Sequence, residues 1–159
     1  MAIRKIVTYP DPILKERSQE VRRFNERLHK LLDDMKDTLI DSKVGVGLAA
    51  PQVGILKRVI LVDDGEKLIE VVNPEILEME GEQVDPPEGC LSIPGLQGIV
   101  RRAQRIKVRG QDRHGEPFEM EAEGYLARIF QHEIDHLNGV LFIDVAEKII
   151  QPEVETEEA

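Results

Sequence analysis

The sequence contains one cysteine, Cys90, which excludes an internal disulfide framework and fits a reducing compartment. It also lacks any apolar run near the ~20 residues of a membrane span, so no transmembrane helix is expected. The opening stretch MAIRKIVTYPDP has early basic residues but no apolar h-region and no cleavage site. It does not read as a secretory signal, and a cytoplasmic location is the expectation. Internal repeats and low-complexity linkers are missing as well. Basic residues are in the minority, with 21 Lys and Arg against 31 Asp and Glu and a formal net charge of −10. A nucleic-acid groove needs a basic stripe, so none is expected, and acidic surface mostly serves solubility.

What is present suits one compact domain: 159 residues, 41% hydrophobic and 33% charged. We read a catalytic unit over residues 1–148 and an acidic, flexible tail over 149–159, where QPEVETEEA carries four glutamates and no base. Leu28, Leu31, Leu32, Met35 and Leu39 recur at helical spacing, which predicts a helix from Asn25, a plausible N-cap, to about Ser42. Arg58–Asp63 and Lys67–Ile76 are short, β-branched and bounded by Gly, Asp or Pro, the marks of strands. RIKVRGQD and FEMEAEG alternate on either side of Arg113–Pro117 and predict a hairpin. A second helix is expected from about Tyr125 to Asn138, stopping at Gly139. Strands in a run with helices at either side predict an α+β fold of antiparallel strands around a central helix.

That second helix carries His132-Glu133-Ile134-Asp135-His136, an H-E-x-x-H pattern. Four residues are just over one helical turn, so both imidazoles leave the same face and can grip one ion, with the glutamate beside it to handle protons. Two surface histidines on an ordinary amphipathic helix would have the same spacing. The helical wheel argues otherwise: Leu126, Ile129, Phe130, Ile134 and Leu137 form the apolar stripe, and Glu133 falls inside it. A carboxylate there is costly without compensation. Asp135 and Arg128 fall towards the solvent side of the same wheel. A catalytic zinc-type site needs a third protein ligand. The extended protease pattern fails because Phe142 stands where its third histidine would be, and the glutamates of the tail follow no helical apolar pattern. Cys90 is available, in the glycine-flanked, turn-like segment EGCLSIPG. It would complete a Cys-His-His set, or serve as a small buried hydrophobe, the commoner fate of a free cysteine.

Three motifs in order, Gly45-Val46-Gly47-Leu48-Ala49-Ala50-Pro51-Gln52, Glu88-Gly89-Cys90-Leu91-Ser92 and Gln131-His132-Glu133-Ile134-Asp135-His136, resemble the peptide deformylase family over nearly the whole chain. The resemblance implies Cys90, His132 and His136 as ligands of one divalent metal, with water in the fourth place. It implies ferrous iron as the physiological ion, with zinc, nickel or cobalt as replacements. Glu133 is then the general base and acid, and the Gln52 side chain and Leu91 N–H are the oxyanion donors. Substrate backbone would pair near Val46 and Gly47, and Val46, Ile129 and Tyr125 would hold a methionine side chain. The implied activity removes the N-formyl group from formylmethionyl nascent chains as they leave the ribosome. The sequence departs from a number of relatives at Gln97, where an arginine faces the downstream end of the substrate; Arg101, Arg102 and Arg128 are the available substitutes. A zinc peptidase and a non-catalytic relative are the competing readings.

Overall fold

The computed structural model describes residues 2–151. Two antiparallel sheets and two main helices build it. The larger sheet has the order β1-β2-β3-β6-β7, with β1 Gly47–Ala49, β2 Val59–Asp63, β3 Leu68–Glu80, β6 Arg105–Gln111 and β7 Pro117–Glu123. The smaller has the order β4-β5-β8, with β4 Glu88–Cys90, β5 Ile93–Ile99 and β8 Lys148–Ile150. Helix α1 spans Glu26–Ser42, α2 spans Tyr125–Leu137, and a short α3 covers Phe142–Val145. No helix among the described residues is long and apolar enough to cross a membrane.

The side-chain alternation of β2 explains why its sequence reads as a solid apolar run. Ile60 and Val62 point into a cluster with Ile129, Phe130 and Leu137 of α2. Val59 and Leu61 point the other way, into a cluster with Leu28, Leu32 and Met35 of α1. Both faces of the strand are therefore covered, and neither tolerates polar residues. Helix α2 has one sheet face against it and the small sheet at its flank, so it is buried nearly all round. Burying a side chain such as Phe130 stabilises by about 1.5–3 kcal/mol. A third cluster, with Leu14, Ile93, Val100, Leu141 and Phe142, fills the space under the small sheet.

Helix boundaries follow local chemistry. The Asn25 side chain accepts a hydrogen bond from Leu28 N at 3.2 Å and caps α1. Helix α2 ends at Asn138 and Gly139, whose φ of +75° suits only glycine at low cost. The hairpin expected around Arg113–Pro117 is β6–β7, turning through Asp112–Glu116. Two sequence expectations need changing. EGCLSIPG is not a free turn but the β4–β5 hairpin, in which Cys90 pairs with Ile93. Ile149 and Ile150, read as the start of the tail, pair with Gly98 and Gln97 of β5. The rest of that tail, residues 152–159, lies outside the described residues.

Candidate active site

Helix α2 presents His132 and His136 on one face, and the β4–β5 hairpin brings Cys90 up to them. The ligand atoms of the three lie within 4.8 Å of one another, and Cys90 Sγ is 3.3 Å from His136 Nε2. Bonds of about 2.3 Å to sulfur and 2.0 Å to nitrogen set tetrahedral edges of about 3.5 Å, so the cluster is the right size for one ion. Burial pulls the His132 imidazolium down, but Cys90 sulfur and the Glu88 carboxylate outweigh burial and lift it to about 10. Burial and the His132 charge hold His136 well below its usual value. Two imidazoles and a sulfur facing one another, with a carboxylate behind one ring, are a donor set for one divalent cation. Phe142 stacks on the His132 ring, with centroids 6.1 Å apart, and fills its side of the site with an apolar ring.

The groups that surround these donors are largely invisible in the sequence. Glu88 Oε1 accepts from His132 Nδ1 at 2.9 Å, which fixes the ring and leaves its other nitrogen for ligation. The same carboxylate takes a bidentate pair from Arg102, Nε and Nη2 both at 2.8 Å, and Arg128 Nη1 at 2.6 Å. Burial alone would raise the Glu88 carboxyl, yet Arg102 and His132 bring it down to about 2. The helical wheel puts Arg128 towards solvent; it is instead 1% exposed, because the small sheet covers that side of α2. Asp135, on the same side of the wheel, is half-buried and accepts from Arg102 Nη1 at 2.6 Å. Neither Arg102 nor Arg128 is free to stand in for the arginine missing at Gln97. Arg101 is tied on the surface to Glu82 and Glu147. The one clue to this network is Glu88 itself, a glutamate beside a strand cysteine with no visible partner.

Glu133 is buried against Gly47: a Cβ there would lie 2.6 Å from Glu133 Oε2, so only glycine lets the strand pass so close. Its Oε1 has no hydrogen-bond partner, and burial, partly opposed by His132, pushes the carboxyl up to about 7. Gln52 is held by Ala49 N, which donates to its Oε1 at 2.9 Å. Its Nε2 then points at Cys90 Sγ, 3.4 Å away, and Ser92 Oγ, 3.1 Å away. Ser92 N also faces the sulfur at 3.4 Å.

The site opens into a pocket of about 610 Å³ between β1, at the edge of the large sheet, and β4, at the edge of the small one. Val46, Gly47, Gln52, Cys90, Leu91, Tyr125, Ile129, His132 and Glu133 all line it, and His136, the remaining candidate, joins Cys90 and His132 from behind the pocket wall. Gln97 is on the rim.

The family described as polypeptide deformylase matches residues 3–151. The chain belongs to the peptide deformylase family. It is 54% identical to the peptide deformylase of Caldicellulosiruptor bescii, over 96% of this chain and 91% of that one. It is 56% identical to that of Pelotomaculum thermopropionicum, over 94% and 95%. Among solved structures, the peptide deformylase of Thermotoga maritima superposes with a TM-score of 0.89 at 46% identity, over 93% of this chain and all of that one. The protein is a metal-dependent hydrolase of the deformylase type, and Cys90, His132 and His136, with Glu133 and Gln52 beside them, have the arrangement of that family's catalytic centre.

Proposed function

We propose that the enzyme removes the N-formyl group from formylmethionyl nascent polypeptides, releasing formate, in the cytoplasm of a bacterial-type cell and with ferrous iron as its ion. The observation that carries this is the buried Glu133 carboxylate, with one oxygen unpartnered, beside a three-donor cluster at the floor of a pocket between two sheet edges. Cys90, His132 and His136 would hold the ion. When bound, a divalent ion supplies Lewis acidity, polarising the formyl oxygen and making water acidic enough to attack near neutral pH.

The rest is done by the chain. Glu133 takes a proton from the attacking water as the C–O bond forms. The formyl oxygen gains negative charge, and Gln52 Nε2 and Leu91 N–H donate to it. The C–N bond then breaks, Glu133 returns its proton to the methionine nitrogen, and formate leaves. Edge strand β1 begins at Gly47, next to Val46, and its outer edge faces the pocket, where an extended peptide can pair with it. Val46, buried Ile129 and half-exposed Tyr125 surround the methionine side chain. This division of labour also argues against a peptidase, since the apolar Phe142 ring occupies the flank of His132.

A formyl-methionyl peptide assay with formate detection tests the reaction, and zero formate release at full metal occupancy would refute it. The metal is tested by preparing iron, nickel and zinc forms of known occupancy without oxygen. Iron and air-stable nickel should turn over much faster than zinc, with the iron form lost in air as its thiolate and ion oxidise. A zinc form that is fastest would overturn the iron assignment.

A further inference from the structure

Many of the basic side chains sit on carboxylates, but a second group does not. Arg101, Arg105, Arg109 and Arg113, for example, each pair with a glutamate. Arg17, Arg22, Arg23, Arg27, Lys57 and Arg58 have no carboxylate partner among the described residues. All six line one groove of about 1310 Å³, formed by the segment leading into α1, the loop before β2 and the bulge in β3. Glu20 and Glu75 line it too, but neither pairs with any of the six, and Glu75 is taken by Arg109. Five of the six are exposed. The sixth, Arg58, is half-buried and held only by neutral acceptors: Leu137 O at 3.0 Å, Ser18 O at 3.4 Å and Asn138 Oδ1 at 2.9 Å. Arg17 Nη1 converges on the same Asn138 oxygen at 3.2 Å, so two guanidiniums crowd together with no anion between them. Arg27 lies in the first turn of α1, where the helix dipole disfavours a cation. A protein of net charge −10 thus gathers uncompensated positive charge in one place, against local cost.

We infer that this groove is a docking site for the phosphate backbone of structured RNA. Five of the six side chains are arginine, whose planar fork takes phosphate oxygens in pairs. RNA carries one phosphate per nucleotide, dense enough to engage several of the six at once, and the groove is long for a small anion. It shares no lining residue with the catalytic pocket, so RNA held there leaves the pocket open. The benefit to the enzyme rests on the reading above that its substrates are nascent chains, which emerge among RNA. The whole-chain charge, which argued against any such groove, averages this patch away.

The test is fluorescence anisotropy of the full-length protein with a labelled RNA hairpin, over a salt series. Wild type should bind at low salt, and affinity should fall steeply as salt rises. The R22Q/R23Q/R27Q variant should bind at least tenfold more weakly, and its salt dependence should be shallower by about one unit for each phosphate no longer engaged. R105Q/R109Q, which removes paired surface charge elsewhere, should bind as wild type does. The triple variant should deformylate a short formyl-peptide at the wild-type rate, which separates failure of docking from failure of the proposed reaction. Absence of RNA binding by wild type, equal binding by the triple variant, or preference for a polyglutamate peptide over the hairpin would each overturn the inference.

Discussion

At the scale of single residues, the site depends on two groups outside the metal cluster's own donor set. Glu133 is kept ready by burial: its carboxyl is raised to about 7 and one oxygen has no partner. Glu133→Ala removes proton transfer and leaves Cys90, His132 and His136 in place. The variant should retain about one metal per chain and a native circular dichroism spectrum, while formate release falls about 10²–10⁴-fold. Comparable rates for variant and wild type would rule out the assigned role. Gly47 is the second group. A methyl there lies 2.6 Å from Glu133 Oε2 and 3.0 Å from Ile129 Cγ2, both in packed surroundings. Gly47→Ala should therefore push the carboxylate out of line, lowering kcat at least tenfold with a much smaller change in thermal midpoint. An unchanged kcat would show that Glu133 has room to move.

At the scale of elements, Glu88 is the tie between the β4–β5 hairpin and α2. It fixes His132 and pairs with both Arg102 and Arg128, which are nearly fully buried, while Asp135 supplies Arg102 with a second carboxylate. Removing one member of a buried charge cluster strands the others, at a cost of about 3–5 kcal/mol. Glu88→Ala should lose about that much stability in urea unfolding. Metal affinity should fall about 10–100-fold as His132 loses its anchor. Wild-type urea midpoint and metal retention together would mean that the hairpin is held by its apolar contacts alone. The same cluster shows how far a helical wheel reads. Glu133 was legible because α2 has one clear apolar stripe. Arg128 was not, because the small sheet covers a second side of α2, and strand pairing between distant segments decides that.

Across the whole molecule, the N-terminal segment is strapped to α1 through Asp34. Arg4 Nε reaches Asp34 Oδ2 at 2.9 Å, and Ala2 N reaches Oδ1 at 3.1 Å. Burial would raise the Asp34 carboxyl, but Arg4 and Lys30 outweigh burial and hold it below the ordinary value. The unfolded chain therefore takes up that proton first. The stabilisation is complete above the unfolded value of about 3.9 and is lost as pH falls through the lower folded value. Asp34→Asn should lower the thermal midpoint at neutral pH, and the gap to wild type should close in acid below that range. A gap that persists unchanged at low pH would assign the effect to packing.

The sequence by itself determined the His132-Glu133-His136 pattern, because helical period is local: the histidines lie one turn apart and Glu133 falls on an apolar stripe. Cys90, Gln52 and Leu91, and with them the reaction class, were legible only through the resemblance of three ordered motifs to a known family, since spacing alone left Cys90 open. The sequence also determined both main helices and the β6–β7 hairpin, whose signals are confined to adjacent residues. Only the tertiary structure decided what surrounds those donors. Glu88 and Arg102 meet His132 because β4, the segment before β6, and α2 converge. Arg17 and Arg58 meet at Asn138 because the end of α2 lies against the start of β2. The physical reason is the same in both cases: a charge acts on whatever is within a few ångströms of it, and chain distance says nothing about that.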